Sequence, residues 1–232
     1  MNCPLSAAGP SDSAGLWPSN RLEDGSFSAR GIFPTSLVSA RLKGHAEINA
    51  RLAATILARE AVEQSAHNSN VGGWHSHDFQ PWAGEDGQAV IAAARDVVNG
   101  MTLMQSADEM VPASVTWRVT AWANVSRTGA ANRPHCHPAA FWSGVYWVAD
   151  GGVADNPAVG GLFEIADPRG VLPLMHAPHL RVAIKDCLSD GHTQLVTPRA
   201  GTMILFPAWL VHSVQTYTGD RPRISVAFNF SL

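Results

Sequence analysis

The second half of the chain is built from short apolar segments separated by turn sequences, and this pattern limits the fold more than any other feature. The first segment, ASVTWRVTAWANV at 113–125, alternates as a strand in a sheet does. Further segments follow at 141–148, 160–165, 180–184, 193–197, 202–206, 211–217 and 223–230. Turn sequences such as DGG, ADPRG, PRAG and TGDRP separate most of them. Because no segment after residue 112 is long enough for a crossover helix, the pattern predicts a sandwich or barrel.

Two amphipathic helices precede the strands. Apolar residues share one face of a helix expected over 44–65 and of a second expected over 86–104. The first face consists of Ile48, Leu52, Ile56 and Leu57, and the second of Val90, Ile91, Ala94, Val97, Val98 and Met101. The sequence between the helices, 71–87, is rich in Gly, Pro, Asp and aromatic residues, which predicts a loop. We therefore expect a mainly β (α+β) fold, a jelly roll flanked by two or more helices.

The first 30 residues differ in composition from the remainder of the chain. They are rich in Ser, Gly, Ala and Pro and have no sustained hydrophobic period. We expect residues 1–30 to be mobile or draped along the surface. Residues 31–232 are then expected to form a single domain, with the core roll at about 112–232.

Charge and cysteine content exclude several classes of protein. The formal net charge is −3, with no run of basic residues, which argues against a nucleic-acid binder or a membrane-surface helix. No window approaches the roughly 18 to 20 apolar residues of a membrane span, and no signal peptide is recognisable. The three cysteines are widely spaced and form no CxxC pair. We expect a cytoplasmic protein whose partner is a small molecule or a peptide, with no nucleic acid and no membrane.

The sequence HCHP at 135–138 is the strongest candidate for a metal site. On an extended backbone the side chains of His135 and His137 point to the same face and converge on one ion. His212 stands at the start of a late strand, from which an antiparallel roll can bring it to the first pair. A second pair, His75 and His77, has the same spacing but no recognisable distant partner, so a metal role there is neither expected nor excluded.

The last strand carries a candidate anion site. Arg223 and Ser225 alternate on one face of RISVAFNF, among apolar neighbours. Burial of an unpaired guanidinium is very costly, so Arg223 needs an anionic partner. That partner is either a structural carboxylate, such as Glu164 or Asp220, or a bound dicarboxylate held by two parallel hydrogen bonds.

These motifs occur in an order that resembles the 2-oxoglutarate and Fe(II)-dependent dioxygenases. The branch of that superfamily with HxHP, SGVYY, DPR, FPxxLxHxV and RxSxxFN is matched here by HCHP (135–138), SGVYW (143–147), DPR (167–169), FPAWLVHSV (206–214) and RISVAFN (223–229). The resemblance covers about half of the chain, 121–230, and extends more distantly to prolyl hydroxylases. It implies a double-stranded β-helix and an oxidoreductase that uses Fe(II), 2-oxoglutarate and O2 on an unknown substrate. It also implies that His135 and His212 bind iron and that Arg223 with Ser225 binds the distal carboxylate of 2-oxoglutarate.

One position departs from the superfamily pattern of two histidines and one carboxylate. His137 stands where the acid is expected. Three alternatives follow: His137 is the third ligand, it turns away and leaves two histidines with waters, or a carboxylate of Glu164 or Asp167 completes the shell. We favour the first, because residues two apart on a strand share a face.

Other residues are weaker candidates. Tyr146 and Asn124, on neighbouring strands, are candidates to hydrogen-bond the cosubstrate or substrate, although ordinary sheet packing explains them equally well. Trp122, Trp147 and Trp209 are candidates to line a substrate pocket, although strand aromatics more often pack in the core.

Two alternative functions remain open at this point. A jelly roll with three histidines also describes cupin-like metal proteins, which serve as isomerases, thiol dioxygenases or small-molecule-binding modules without 2-oxoglutarate. A non-catalytic relative is the second alternative. Arg223 and Ser225 favour the oxygenase, because a cupin-like site has no need of them. The apolar helix faces leave open whether they pack on the roll or on a second subunit of a homodimer.

Overall fold

The computed structural model describes residues 33–66, 68–171, 175, 177, 179 and 193–232. Within it, Ser36–Ala166 and Leu195–Leu232 form one compact unit. A second unit comprises Met1–Thr35 and Asp167–Gln194, most of which lies outside the described residues. The predicted N-terminal segment 1–30 and the predicted strand at 180–184 also lie outside them. The domain bounds expected from the sequence therefore stay a prediction.

Two antiparallel sheets form the roll. The larger sheet has the strand order β1 (Val38–Arg41), β11 (Thr202–Pro207), β8 (Trp142–Asp150), β13 (Arg223–Ser231), β6 (Arg118–Ser126) and β3 (Trp74–His75). The smaller sheet has the order β10 (Gln194–Val196), β9 (Phe163–Ile165), β12 (His212–Val214), β7 (Ala131–His135) and β2 (Asn70–Val71). A separate hairpin consists of β4 (Leu103–Ser106) and β5 (Glu109–Pro112). The predicted mainly β jelly roll is confirmed.

Both faces of the larger sheet are covered, and strand β13 shows how its residues divide between them. Ile224, Val226, Phe228 and Phe230 join the core that the helices cover. The intervening residues, Arg223, Ser225 and Ala227, line a cleft between the two sheets. Because successive side chains of a strand point to opposite faces, one strand supplies both the structural core and the cleft.

Two helices cover the outer face of the larger sheet, as predicted. Helix α1 (His45–Glu60) buries Leu52 and Ile56, and helix α2 (Gly84–Met101) buries Val90, Ile91, Ala94 and Val98. Met101, expected on the apolar face, is 48% exposed because it is the last residue of α2. No helix in the described part of the chain is long and apolar enough to cross a membrane.

The loop prediction for 71–87 is partly wrong. The segment contains β3, which pairs with β6 at Trp74↔Val125 and His75↔Asn124, and the start of α2. Such a short strand has no hydrophobic period of its own, so its pairing depends on the edge that β6 offers. The first predicted strand also starts later than expected, at Arg118.

Candidate active site

Three histidines converge between the sheets. His135 ends β7 and His212 begins β12, and the two residues are direct partners in the antiparallel pairing of these strands. His137 follows the end of β7, and its backbone N–H donates to the carbonyl of Ala208 at 2.9 Å. One ring nitrogen from each histidine lies within 4.8 Å of the others, which makes the group suitable to hold a metal ion.

Backbone carbonyls orient two of the rings. Nδ1 of His135 lies 2.7 Å from the carbonyl oxygen of Arg133, and Nδ1 of His212 lies 2.9 Å from that of Leu210. A carbonyl only accepts hydrogen bonds, so both Nδ1 atoms carry the proton. Nε2 is then the metal-binding atom of each ring, and a fixed tautomer of this kind is the usual support of a metal-ligating histidine.

Burial keeps these imidazoles neutral. It lowers the pKa of His137 to about 4 and that of His212 to about 3, and it also lowers the pKa of His135. A metal ligand must be deprotonated, so a buried neutral imidazole is ready to bind a cation near neutral pH.

The carboxylates considered as a third ligand have other partners. Ser213 follows His212 in β12 and therefore points to the opposite face of the sheet. Its hydroxyl donates to Glu164 Oε2 at 2.7 Å, and Gln215 Nε2 donates to Glu164 Oε1 at 2.7 Å. Asp167 accepts two hydrogen bonds from the Arg169 guanidinium. In the described part of the chain, the group of residues able to hold a metal contains histidines alone.

Arg223 is buried without an ion pair to any described residue. It is 3% exposed, and its Nε has no hydrogen-bond partner. Asp150 is its partner in the β13–β8 register, but the Asp150 carboxylate accepts from the backbone N–H groups of Gly152 and Ala200. Burial lowers the pKa of Arg223 to about 10, so the guanidinium stays charged near neutral pH. Asp150 and Tyr217 offset part of the cost of burial through charge interactions, but no described residue forms an ion pair with Arg223, so the site favours an anionic ligand.

Glycine residues make room for this arginine. A Cβ on Gly161 would lie 3.3 Å from Cδ and 3.5 Å from Nε of Arg223, and Gly161 has a φ of +72°. A Cβ on Gly151 would lie 3.0 Å from Cβ of Arg223. The closest contacts at both positions would be with Tyr217, at 3.1 Å for Gly161 and 2.6 Å for Gly151, so the two glycines let the backbone pack closely on Tyr217 and Arg223 together.

Histidines and arginine line the same cleft. Ser225 and Asn124 are direct partners in the β13–β6 pairing, and both line this cleft with Arg223. Trp122 lines it as well, with its ring centroid 5.6 Å from that of His137. The cleft therefore combines a candidate metal site, a buried cation with neighbouring polar side chains, and an aromatic wall.

The second histidine pair does not converge. His75 is buried and stacks on Trp122 with the ring centroids 5.5 Å apart. The side chain of His77 is 67% exposed and its Nδ1 lies 2.8 Å from Glu63 Oε1. His75 therefore supports the aromatic wall of the cleft, while His77 lies at the surface.

Two candidates from the sequence lie elsewhere. The hydroxyl of Tyr146 donates to Asn49 Oδ1 of α1 at 2.6 Å, so it faces the helices and does not line the cleft. Trp209 is 56% exposed and does not line it either. Trp147 does face the inner side of the roll, where it packs with Phe163 and Phe206.

Ser69 and Asn132 also line the cleft, and sequence reasoning missed both. Ser69 Oγ lies 3.4 Å from His135 Nε2 and accepts from Asn132 Nδ2 at 3.2 Å. Ser69 is brought to the cleft by the pairing of β2 with β7. No local pattern around it predicts that pairing.

Comparison with known proteins agrees with this geometry. A profile of the family described as "Putative 2OG-Fe(II) oxygenase" matches residues 120–229. No curated protein is similar enough to count as a relative.

Solved structures show the same fold. A prolyl-4-hydroxylase from Pseudomonas putida has a TM-score of 0.56 at 18% identity, over 85% of this chain and 92% of that chain. The epimerase SnoN from nogalamycin biosynthesis has a TM-score of 0.57 at 15% identity, over 85% and 76%. HygX from Streptomyces hygroscopicus, with nickel and 2-oxoglutarate bound, has a TM-score of 0.52 at 11% identity, over 85% and 83%.

The matched span of 120–229 runs from β6 to β13. Among the described residues that line the cleft, the three histidines and Arg223 all lie within this span. The alternation of β13 and the β7–β12 pairing thus arise within the part of the chain that the family describes. Over this span the chain matches the family described as "Putative 2OG-Fe(II) oxygenase", and the solved 2-oxoglutarate-dependent enzymes share its fold.

Proposed function

We propose that the protein oxidises a C–H bond of a small-molecule or peptidyl substrate, with Fe(II) bound by His135, His137 and His212 and 2-oxoglutarate bound by Arg223 and Ser225. The observation that carries the proposal is the buried guanidinium of Arg223, unpaired among the described residues, in the same cleft as three converged neutral imidazoles. The guanidinium is suited to bind a carboxylate, and the three imidazoles are suited to bind a metal. A 2-oxo dicarboxylate chelated to iron satisfies both.

The histidines fit a non-haem iron site. Imidazole nitrogen suits Fe(II), and a site with three protein ligands would leave positions open for the cosubstrate and O2. When bound, the iron and 2-oxoglutarate would supply dioxygen activation coupled to oxidative decarboxylation of the cosubstrate. With His137 in place of a carboxylate, the protein ligands contribute no negative charge to the ion.

Arg223 and Ser225 fit the distal carboxylate of the cosubstrate. A guanidinium presents a planar fork of N–H donors that matches a carboxylate, and the Ser225 hydroxyl adds a donor from the same face of β13. Asn124 lies opposite Ser225 and can donate to the same ligand or to the substrate. Apolar walls around these groups, including Phe163 and Val145, strengthen the charge interaction by excluding water.

Arg223 also argues against a cupin-like metal protein that does not use 2-oxoglutarate. Such a protein has no ligand that needs a buried cation across the cleft from its metal. The unpaired Arg223 would then cost stability with no compensation.

An anaerobic titration with Fe(II) and then 2-oxoglutarate tests the proposal. We expect the visible charge-transfer band of the chelate to form in the wild type and to require much more 2-oxoglutarate in Arg223→Ala. Fe(II) binding alone, measured first, should be equal in the two proteins. If iron binds to the wild type and no band forms, the oxygenase proposal fails and a binding-only function takes its place.

The cellular location, the substrate contact and the oligomeric state are also proposals. We propose a cytoplasmic enzyme, which fits three widely spaced cysteines, of which Cys136 is a free thiol. Its substrate is proposed to contact Trp122, the aromatic side chain of the cleft beside His137. A homodimer, with helix surfaces as the contact, remains a prediction for size-exclusion chromatography with light scattering.

A further inference from the structure

The indole N–H of Trp147 has no hydrogen-bond partner. Among the described side chains, Trp147 Nε1 and Arg223 Nε are the two buried nitrogen or oxygen atoms that lack a hydrogen-bond partner. Buried polar groups are otherwise nearly always paired, because an unpaired one has lost its water without compensation. Two such donors on adjacent strands of one roll suggest a shared acceptor that the chain itself does not supply.

Other buried indoles in this protein do find acceptors within the chain. Trp142 Nε1 donates to Thr102 Oγ1, Trp117 Nε1 to Asn99 Oδ1, and Trp74 Nε1 to Glu63 O, each at 2.9 Å. All three side chains belong to the core on the helix side of the larger sheet. Trp147 therefore differs from these indoles both in its face of the sheet and in its missing acceptor.

The position of Trp147 is next to the anion-binding residues. In the β13–β8 pairing its direct partner is Ser225, and a register irregularity follows it before Arg223 pairs with Asp150. Trp147 packs in the inner cluster with Val145 and Phe163, which line the cleft. Side chains of paired residues in adjacent strands stand side by side on one face, so Trp147 and Ser225 share the inner face of the sheet. Trp147 itself is not among the residues that line the cleft and lies behind Val145 and Phe163, which are.

We propose that the indole N–H of Trp147 donates a hydrogen bond to the distal carboxylate of 2-oxoglutarate, alongside Arg223 and Ser225. This inference rests on the proposed function. A carboxylate accepts about four hydrogen bonds, so a guanidinium fork, a hydroxyl and an indole N–H together match its acceptor sites. Trp147 is then a cosubstrate-binding residue and not a wall of the substrate pocket.

The test uses two ligands that differ only at the distal end. 2-Oxoglutarate and 2-oxopentanoate have the same chain length and the same metal-chelating 2-oxo acid, but the second lacks the distal carboxylate. Both are titrated by calorimetry into Mn(II)-loaded wild type and Mn(II)-loaded Trp147→Phe, after Mn(II) binding is measured by itself. We expect about tenfold weaker binding of 2-oxoglutarate to Trp147→Phe and unchanged binding of 2-oxopentanoate, the effect of one hydrogen bond to a charged group.

Two further variants separate the hydrogen bond from packing. Trp147→Tyr retains a donor on an aromatic ring and should recover part of the lost affinity. Trp142→Phe removes a satisfied indole from the opposite face of β8 and should leave binding of both ligands unchanged. Equal weakening of both ligands in Trp147→Phe, or no weakening of either, overturns the inference.

A measurement on the wild type covers the case in which the variants unfold. In Zn(II)-loaded wild-type protein labelled with 15N-tryptophan, one indole N–H resonance should move downfield with 2-oxoglutarate and not with 2-oxopentanoate, and no indole should respond in this way if Trp147 does not bind the distal carboxylate. The wild type should bind 2-oxoglutarate more tightly than 2-oxopentanoate. If Arg223→Ala abolishes this preference while Trp147→Phe retains it, the inference alone fails. If the wild type shows no preference between the ligands, the proposed function fails first.

Discussion

Asp150 lies directly opposite Arg223 in the pairing of β8 with β13, yet the two side chains form no ion pair. One oxygen of Asp150 accepts from the backbone N–H of Gly152 at 2.8 Å, and the other accepts from that of Ala200 at 3.2 Å. Both oxygens of the carboxylate opposite Arg223 thus bind backbone, one in the turn that follows β8 and the other just before β11. Asp150 attracts the charge of Arg223 without pairing with it, so the guanidinium can still bind an anionic ligand.

Replacement of Arg223 by Met should separate ligand binding from stability. Removal of a buried charge that has no protein partner is often neutral or stabilising, so we expect the free energy of unfolding of the ligand-free protein to stay within about 1 kcal/mol of wild type or to rise. Binding of 2-oxoglutarate should weaken by about 100-fold, because a charge-assisted pair is lost. Chemical denaturation and calorimetry measure the two quantities. A large loss of stability with intact binding would mean that Arg223 is a structural residue.

Replacement of Gly161 by Ala should crowd Tyr217 and Arg223. The new Cβ would lie 3.1 Å from Cδ2 of Tyr217 and 3.3 Å from Cδ of Arg223, and the φ of +72° adds a backbone cost of about 1–2 kcal/mol. We expect lower stability and weaker 2-oxoglutarate binding. Gly44→Ala is the matched control, since Gly44 has a φ of +67° and a Cβ added there would meet nothing within 4 Å. It should lose stability to a similar degree and bind 2-oxoglutarate normally, and equal binding defects in both variants would refute a specific role for Gly161.

Replacement of His137 distinguishes the three possible metal shells. Loss of a residue that only supports a ligand weakens metal binding by about 10- to 100-fold. If His137 is itself a ligand, His137→Ala should therefore weaken Co(II) binding by more than about 100-fold. His137→Asp should still bind one ion per chain. Glu164→Gln should have no effect, because that carboxylate binds Ser213 and Gln215. The visible absorption of bound Co(II) reports each case. Normal binding in His137→Ala, or weakened binding in Glu164→Gln, would reassign the third ligand.

Replacement of Tyr146 by Phe should affect stability alone. The Tyr146 hydroxyl is bonded to Asn49 of α1, so its loss leaves a buried amide oxygen without its donor. We expect the free energy of unfolding to fall by about 1 kcal/mol and the affinity for 2-oxoglutarate to stay unchanged. Denaturant unfolding and calorimetry provide the two values. A variant with wild-type stability and a binding defect would make Tyr146 a cosubstrate ligand after all.

Much of the site follows from local sequence. The two-residue spacing of His135 and His137 and that of Arg223 and Ser225 place each pair on one face of its strand or strand end, because side chains alternate along an extended backbone. Apolar periods likewise predicted both helices and the faces that they bury. These features depend on geometry between close neighbours in the chain, which the sequence carries directly.

Which side chains face the cleft depended on how distant segments of the chain pair. Tyr146 and Trp147 are consecutive residues of a strand that is apolar on both faces, so alternation separates them without showing which one faces the cleft. Asn49 on α1 and Ser225 on β13 decide that question, since each lies beside one of the two aromatic residues. The sequence also allowed Glu164 as a metal ligand. The β9–β12 register instead pairs it with Ser213, whose hydroxyl donates to its carboxylate. The sequence by itself determined which residues share a face, and only the tertiary structure decided what each face meets, because strand register and sheet packing are set by contacts between segments far apart in the chain.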